Sequence, residues 1–278
     1  MAEITAALVK SFRERTGLPM MECKKALIEA NGDEDLAIEL LRKAGKKTME
    51  KRSGRETEAG RIAVYFDEPT GVTAMVELLC ESAPVASTDE FGTLIANIAE
   101  QLAKCPGAKT SEDLLAQPVP GNPSKKLQDE YDDLVNKIRE VFKLNRMIRV
   151  ENKSGSYVHH NGGIGVVVEI EGDNTALARD ICMHVASMRP KYVSKEEVDP
   201  AAVAKEKAIV GESVRVENAN KPENIIDKII EGRMKTFYAD QCLLEQPFVK
   251  EQSKTVAQIA NENNIKILNV THWVLGQR

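Results

Sequence analysis

Phe12-Arg13-Glu14-Arg15-Thr16-Gly17-Leu18-Pro19-Met20-Met21-Glu22-Cys23-Lys24-Lys25-Ala26-Leu27 closes one helix and opens the next. Upstream, Thr5 is a good N-cap, Leu8, Val9 and Phe12 recur at helical spacing, and Gly17 supplies the left-handed backbone on which helices end. Downstream, Pro19 suits a first helical position, and Met20, Cys23, Leu27 and Ala30 share one face until Asn31-Gly32 stops the run. Met21 is left beside that seam. Only one of two adjacent methionines points fully inward, so the pair reads either as core filler or as a docking surface for which the adaptable thioether is suited. The residues alone leave those two readings even.

Working outward, Gly32-Asp33-Glu34-Asp35 places acids at the start of a third helix, whose stripe Leu36, Ala37, Leu40, Leu41 and Ala44 ends at Gly45. Three short helices thus form a small bundle over residues 1–45. A mixed-charge, solvated linker follows at 46–60, helical at its start. From residue 61 the period changes to two. Segments 62–66 and 72–80 predict strands joined by the turn Asp67-Glu68-Pro69-Thr70-Gly71, with Val72, Ala74, Val76, Leu78 and Cys80 on one face.

Residues 81–86 leave the sheet, and Ser87 with Glu90 predicts a capping box for a helix bearing Phe91, Leu94, Ile95, Ile98 and Leu102. Residues 108–123 read as irregular apart from a turn at 111–115, after which Ser124 caps a helix with Leu127, Tyr131, Leu134, Val135, Ile138 and Phe142. Strands are expected at 147–151, 156–159 and 164–170, then a helix opened by Asn174 or Thr175. A helical pair at 202–216 and 223–238, a short helix at 255–261 and a strand at 265–275 complete the chain. The stripe Ile225, Ile226, Ile229, Ile230, Met234 and Phe237 is more apolar than one thin hairpin covers, so its far side is expected to meet another molecule, a homodimer partner included.

At 278 residues the chain accommodates two or three modest domains. Charged residues make up 29% and mean hydropathy is −0.33, no apolar run is long enough for a bilayer, and no signal-peptide core opens the sequence, so a soluble, cytoplasmic protein without a membrane partner is expected. A net charge of −5 argues against direct nucleic-acid binding, which needs clustered basic surface, and turns the search towards protein partners. Cys23, Cys80, Cys105, Cys182 and Cys242 are odd in number and scattered, which fits free thiols in a reducing compartment.

No catalytic residue, metal or cofactor is expected. His159-His160 is the obvious candidate pair, but neighbours on a strand face opposite ways and no cluster of ligands accompanies them. His184 lies on an apolar helix face and reads as a satisfied core or interface histidine. Cys80 with either is a conceivable thiol dyad that nothing supports. Asn161-Gly162-Gly163-Ile164-Gly165 runs into Val166-Val167-Val168, a strand, and so reads as a hairpin turn rather than a phosphate cradle opening a helix.

Arg13-x-x-Thr16-Gly17, Met20-Met21-x-Cys23-Lys24-Lys25-Ala26-Leu27 and Ala30-Asn31-Gly32 resemble the N-terminal signature of the bacterial elongation factor Ts family, the guanine-nucleotide exchange factors of elongation factor Tu. Gly155-Ser156-Tyr157-x-His159, Met183-His184-Val185-Ala186, Glu231-Gly232-Arg233-Met234-Lys235, Gln246-Pro247-Phe248-Val249 and Ser253-Lys254-Thr255-Val256 extend the resemblance over nearly the whole chain. It implies an α+β fold: an N-terminal three-helix, ubiquitin-associated-like (UBA-like) domain at 1–45, a linker at 46–60, two α+β core subdomains with antiparallel sheets at 61–143 and at 144–198 with 239–278, and an inserted helical hairpin at 199–238. It also implies binding to elongation factor Tu in its GDP-bound and nucleotide-free states, with no bond chemistry. Phe12, Met20 and Met21 would grip a helix of the GTPase domain, His159 would make a second contact, and residues 82–85 would approach the partner's magnesium site.

The sequence departs from the family after Cys80, where members usually carry Thr-Asp-Phe-Val-Ala. Here Ser82, Ala83, Pro84, Val85 and Ala86 stand instead, so the acidic and aromatic tips are missing and Pro84 is expected to hold the loop stiff and extended. Position 19, commonly small, is Pro, and the chain is expected to stop after Trp273 without the further C-terminal helix of some members. The expected activity is release of GDP by shifting a GTPase-domain helix and loosening the magnesium and phosphate site. The alternative is a non-catalytic chaperone or assembly partner of elongation factor Tu, which the missing Asp-Phe tip keeps open.

Overall fold

A computed structural model describes residues 4–50, 52 and 54–277. The fold is α+β, with helices opening the chain and small antiparallel sheets behind them. The chain divides into two compact units: Met1–Glu151, Val158–Gly165 and Trp273–Arg278 form the first, Asn152–Tyr157 and Val166–His272 the second.

The first unit begins with α1 (Ala6–Thr16), α2 (Met20–Glu29) and α3 (Glu34–Glu50). Thr5 caps α1 by accepting the Leu8 N–H, and Gly17, at φ 69°, ends it by donating to the Arg13 carbonyl at 2.8 Å. Phe12, Leu18, Cys23, Ala26, Leu27 and Ala37 fill the space between the three helices. α3 continues past Gly45, where the sequence predicts its end. Glycine is needed there for close approach instead: a Cβ would lie 1.5 Å from Asn136 Oδ1, on a helix described below. The expected linker is therefore helical to Glu50, while positions 51 and 53 lie outside the described residues.

β1 (Ala59–Asp67) and β2 (Val72–Cys80) form the predicted hairpin, followed by α4 (Ala83–Ala86) and α5 (Asp89–Lys104). Thr88, not Ser87, caps α5 by accepting the Phe91 N–H, because Ser87 is engaged with the Ala83 carbonyl at the end of α4. α6 (Ser111–Leu115), the short strands β3 (Pro118–Val119) and β4 (Asn122–Lys126), α7 (Leu127–Ile138) and β5 (Lys143–Val150) follow. Ser124 lies in β4 rather than capping α7, whose first turn is closed by Asp129 accepting the Lys126 N–H at 3.1 Å. β5 belongs to the segment assigned from sequence to the second core subdomain, but it pairs with β2 in a sheet of order β1-β2-β5.

Every residue of β2 is buried, although its sequence alternation predicts one buried face. Val72, Ala74, Val76, Leu78 and Cys80 pack with Phe91, Leu94, Ile98 and Leu127. On the opposite face, polar Thr73 and Glu77 disguise an equally enclosed surface. Glu77 is fully buried and accepts from Asn145 Nδ2 at 2.6 Å, Arg146 Nε at 2.8 Å and the Gly276 N–H at 3.1 Å; the Arg146 guanidinium lies over the Trp273 ring. A buried carboxylate is tolerated when paired and hydrogen-bonded in this way.

β6 (Ser154–Val158), β7 (Ile164–Glu171), α8 (Thr175–Met188), α9 (Pro200–Glu217), α10 (Glu223–Gln241), β8 (Pro247–Phe248), β9 (Glu251–Thr255), α11 (Val256–Glu262) and β10 (Lys266–Val274) complete the chain, with a sheet of order β10-β7-β6. Gly155 lets β6 lie against α8, since a Cβ there would stand 2.3 Å from the Ala178 carbonyl carbon. In the helical hairpin, Val214, Ile226, Ile230 and Met234 bury one another. The hairpin thus covers much of the stripe expected to need another molecule, leaving Ile209, Val216 and Ile225 exposed.

One local construction occurs twice. In the first unit the Gln117 carbonyl accepts the Leu127 N–H at 2.9 Å and its side chain accepts from Gln101 on α5 at 3.1 Å. In the second, the Gln246 carbonyl accepts the Val256 N–H at 3.0 Å and its side chain meets His184 Nε2 at 2.8 Å. Both glutamines precede a proline that enters a two-strand hairpin leading into a helix.

Candidate functional site

The turn from α1 to α2 is fixed from within. The Thr16 hydroxyl donates to the Phe12 carbonyl at 2.9 Å, Cys23 Sγ donates to the Leu18 carbonyl at 3.6 Å, and the buried Leu18 side chain fills the seam. Leu18 takes the inward place the sequence offers to Met20. Met20 is consequently 50% exposed and Met21 64%. Phe12 is the correction: fully enclosed, with the Arg15 guanidinium over its ring, it supports the turn and presents no surface to a partner in this conformation.

Ser82 is extended, but the residues after it are not. Ala83, Pro84, Val85 and Ala86 form the single helical turn α4, for which Pro84 is suited because its fixed φ fits a first turn that needs no N–H from it. Ala83 and Pro84 face solvent, Val85 is half-buried and Ala86 is buried. The turn is anchored at its start: the Ser82 N–H and hydroxyl donate to the two carboxylate oxygens of Glu140 at 3.0 and 2.6 Å.

The sequence pattern does not single out Glu140 or its neighbours. α7 ends at Arg139, a non-glycine residue at φ 67°, and residues 139–141 contact both α2 and the residues leading into α4. The Arg139 guanidinium pairs with Glu22 of α2 at 2.5 Å, and its carbonyl accepts from Arg52 at 2.6 Å. Val141 donates to Glu81, which also pairs with Arg55 at 2.9 Å. Burial opposes ionisation of Glu81, but the Val141 N–H and Arg55 outweigh it and hold this carboxyl below its usual range. α7 also carries the bundle through Arg42, which grips both Asp133 oxygens at 2.8 and 3.0 Å and reaches Asp129. A cavity of about 340 Å³ is lined by Glu22 and Arg139 together with Leu18, Leu40, Leu41 and Asn136.

β6 stops at Val158, so His159 and His160 fall in the turn before β7 rather than on opposite faces of a strand; their ring centroids are 4.2 Å apart. His159 Nδ1 and the Gly163 N–H both meet Asn161 Oδ1 at 2.9 Å, and the Ile62 N–H donates to Gly162 on the same turn. His184 is satisfied in the core. Among the described residues no group of three potential ligands could hold a metal ion, and no helix is long and apolar enough to cross a membrane. Burial, with the Glu140 charge nearby, pushes the Cys80 thiol up to about 11, so it lacks the thiolate that nucleophilic chemistry requires.

A family model described as Elongation factor TS matches residues 84–277. The chain is 38% identical over 276 residues to Elongation factor Ts of Alkalilimnicola ehrlichii, covering 99% of this chain and 92% of that protein. It is 38% identical over 264 residues to Elongation factor Ts of Clostridium acetobutylicum, covering 92% and 85%, and 37% identical over 281 residues to that of Aquifex aeolicus, covering 96% of each.

Proposed function

As the chain belongs to the elongation factor Ts family, we propose that it binds elongation factor Tu carrying GDP, docks through Met20 and Met21, and promotes GDP release by shifting a GTPase-domain helix and loosening the magnesium and phosphate site. The observation that carries this reading is the half-solvated methionine pair at the start of α2, on a bundle whose own core is already filled by Phe12, Leu18 and Leu27. Burying such a side chain against a partner contributes about 1.5–3 kcal/mol. The exposed Ala83 and Pro84 are a reduced wedge, and His159 is a second contact.

Exchange of this kind needs no bond chemistry. A protein that binds the nucleotide-free GTPase more tightly than the loaded form weakens nucleotide binding by the same factor, and couplings of this type are about 1–3 kcal/mol. The work is done by differential contact. With no carboxylate or phenyl tip in α4, the methionine pair takes a larger share of it than in relatives that carry one.

The test is GDP release from elongation factor Tu, followed with a fluorescent nucleotide in a concentration series. The wild-type chain should accelerate release, and Met20→Ala with Met21→Ala should raise the concentration needed for half the effect by roughly 10-fold or more, the loss expected for truncating an interface anchor. Binding without acceleration would instead favour the chaperone reading.

A further inference from the structure

Residues 139 and 140 are adjacent in the chain and reach in different directions. Arg139 Nη2 meets Glu22 Oε2 of the methionine-bearing helix at 2.5 Å; Glu140 takes the N–H and hydroxyl of Ser82, the residue that starts α4. Further contacts hold this segment. Its backbone leaves α7 in the left-handed region, its carbonyl is held by Arg52, and the next N–H by Glu81. Glu22 and Arg139 both line the cavity described above.

From this arrangement we infer that Arg139 and Glu140 are positioning residues for exchange: a two-residue clamp that sets the distance and angle between the docking methionines and the Ala83-Pro84 turn. The inference rests on the exchange reading above. Docking at Met20 and Met21 carries the larger share of the discrimination between loaded and empty GTPase, and the Ala83-Pro84 turn supplies the rest. Differential binding requires that the second feature arrive at a defined place once the first is seated. A short turn with neither an acid nor an aromatic tip has little reach of its own. The clamp supplies its placement.

The contacts are suited to that task. Ser82 offers two donors to two oxygens of one carboxylate, which fixes orientation as well as distance. The Arg139–Glu22 pair uses a single guanidinium nitrogen, so a lysine can replace it. Arginine at φ 67° also makes Arg139→Gly a clean removal, since glycine adopts that backbone readily and the end of α7 is kept.

The experiment uses the full-length chain and elongation factor Tu loaded with fluorescent GDP, reading the maximal release rate at saturation and the half-saturating concentration separately. Arg139→Gly and Glu140→Ala should lower the maximal rate by about 3- to 30-fold, the range over which residues of a coupling network act, with the half-saturating concentration kept. Arg139→Lys should restore it. Ser82→Ala removes one hydroxyl from a surface turn and should fall between wild type and Glu140→Ala, which keeps the test open if a larger change disturbs folding.

A merely structural role predicts the reverse pattern, a higher half-saturating concentration with an unchanged maximum, and that pattern overturns the clamp. So do wild-type maximal rates in both Arg139→Gly and Glu140→Ala, and so does equal loss in Arg139→Lys and Arg139→Gly. A wild-type chain that leaves GDP release unchanged removes the exchange reading itself and the clamp with it, and is recognised before any variant is measured.

Discussion

Phe12 is enclosed on every side, whereas Met20 and Met21 stand half or more in solvent, so truncation of each reports on a different property. Phe12→Ala should lower stability by about 3–5 kcal/mol through the cavity it leaves. Met20→Ala and Met21→Ala should stay within about 0.5 kcal/mol of wild type, as changes outside the core do. Urea unfolding of the three variants distinguishes them. All three residues are legible in the sequence as apolar positions at helical spacing. What spacing does not give is which of them Leu18 displaces, because Leu18 enters from the turn rather than from either helix. Arg139 and Glu140 are less legible still. Their partners Glu22 and Ser82 lie 117 and 58 positions away, and a charged pair after an apolar stripe reads in sequence as an ordinary solvated helix end.

Helices and strands are mostly recoverable from periodicity, and the departures share a cause: a residue suited to two tasks is read for the local one. Gly45 reads as a helix stop and serves helix contact with Asn136; Ser124 reads as a cap and lies in β4; Glu77 reads as a solvent-facing alternate and is buried. The twice-used glutamine-proline hairpin yields a prediction at this scale. Val249 donates its N–H to His184 Nδ1 at 3.3 Å, so the neutral ring carries its proton on Nε2, towards Gln246. Burial lowers the His184 pKa, with the Gln246 hydrogen bond only partly opposing it, and burial with Arg189 lowers that of His272. The unfolded chain therefore binds more protons than the folded one as pH falls below the ordinary histidine value of about 6.5, and stability present above that pH is lost as it falls. Melting temperature should drop between pH 7.5 and 5.5, and His184→Gln, which copies Gln101 of the first unit, should shrink that drop whatever its starting value.

Across the whole chain, Glu77 joins the central strand of the first sheet to the last residues of the sequence through Arg146 and the Gly276 N–H. Glu77→Gln would set an amide nitrogen against the donors of Asn145, Arg146 or Gly276. It should cost about 3–5 kcal/mol, nearer the lower figure because Arg146 retains 22% exposure, and should make residues 273–277 more susceptible to carboxypeptidase. Proteolysis beside urea unfolding checks both. The same global view separates the sulfur atoms. Cys23, Cys80, Cys182 and Cys242 are buried, with burial raising the thiol pKa of Cys80 to about 11 and of Cys182 to about 12. Among the methionines whose side chains are described, Met20, Met21 and Met188 are the exposed ones. Peroxide therefore meets thioethers before these four thiols, and sulfoxide at Met20 or Met21 would place a polar oxygen on the side chains proposed to dock. Oxidative stress would then silence the proposed exchange surface in a molecule that is still folded, and reduction of the sulfoxides would return it to use.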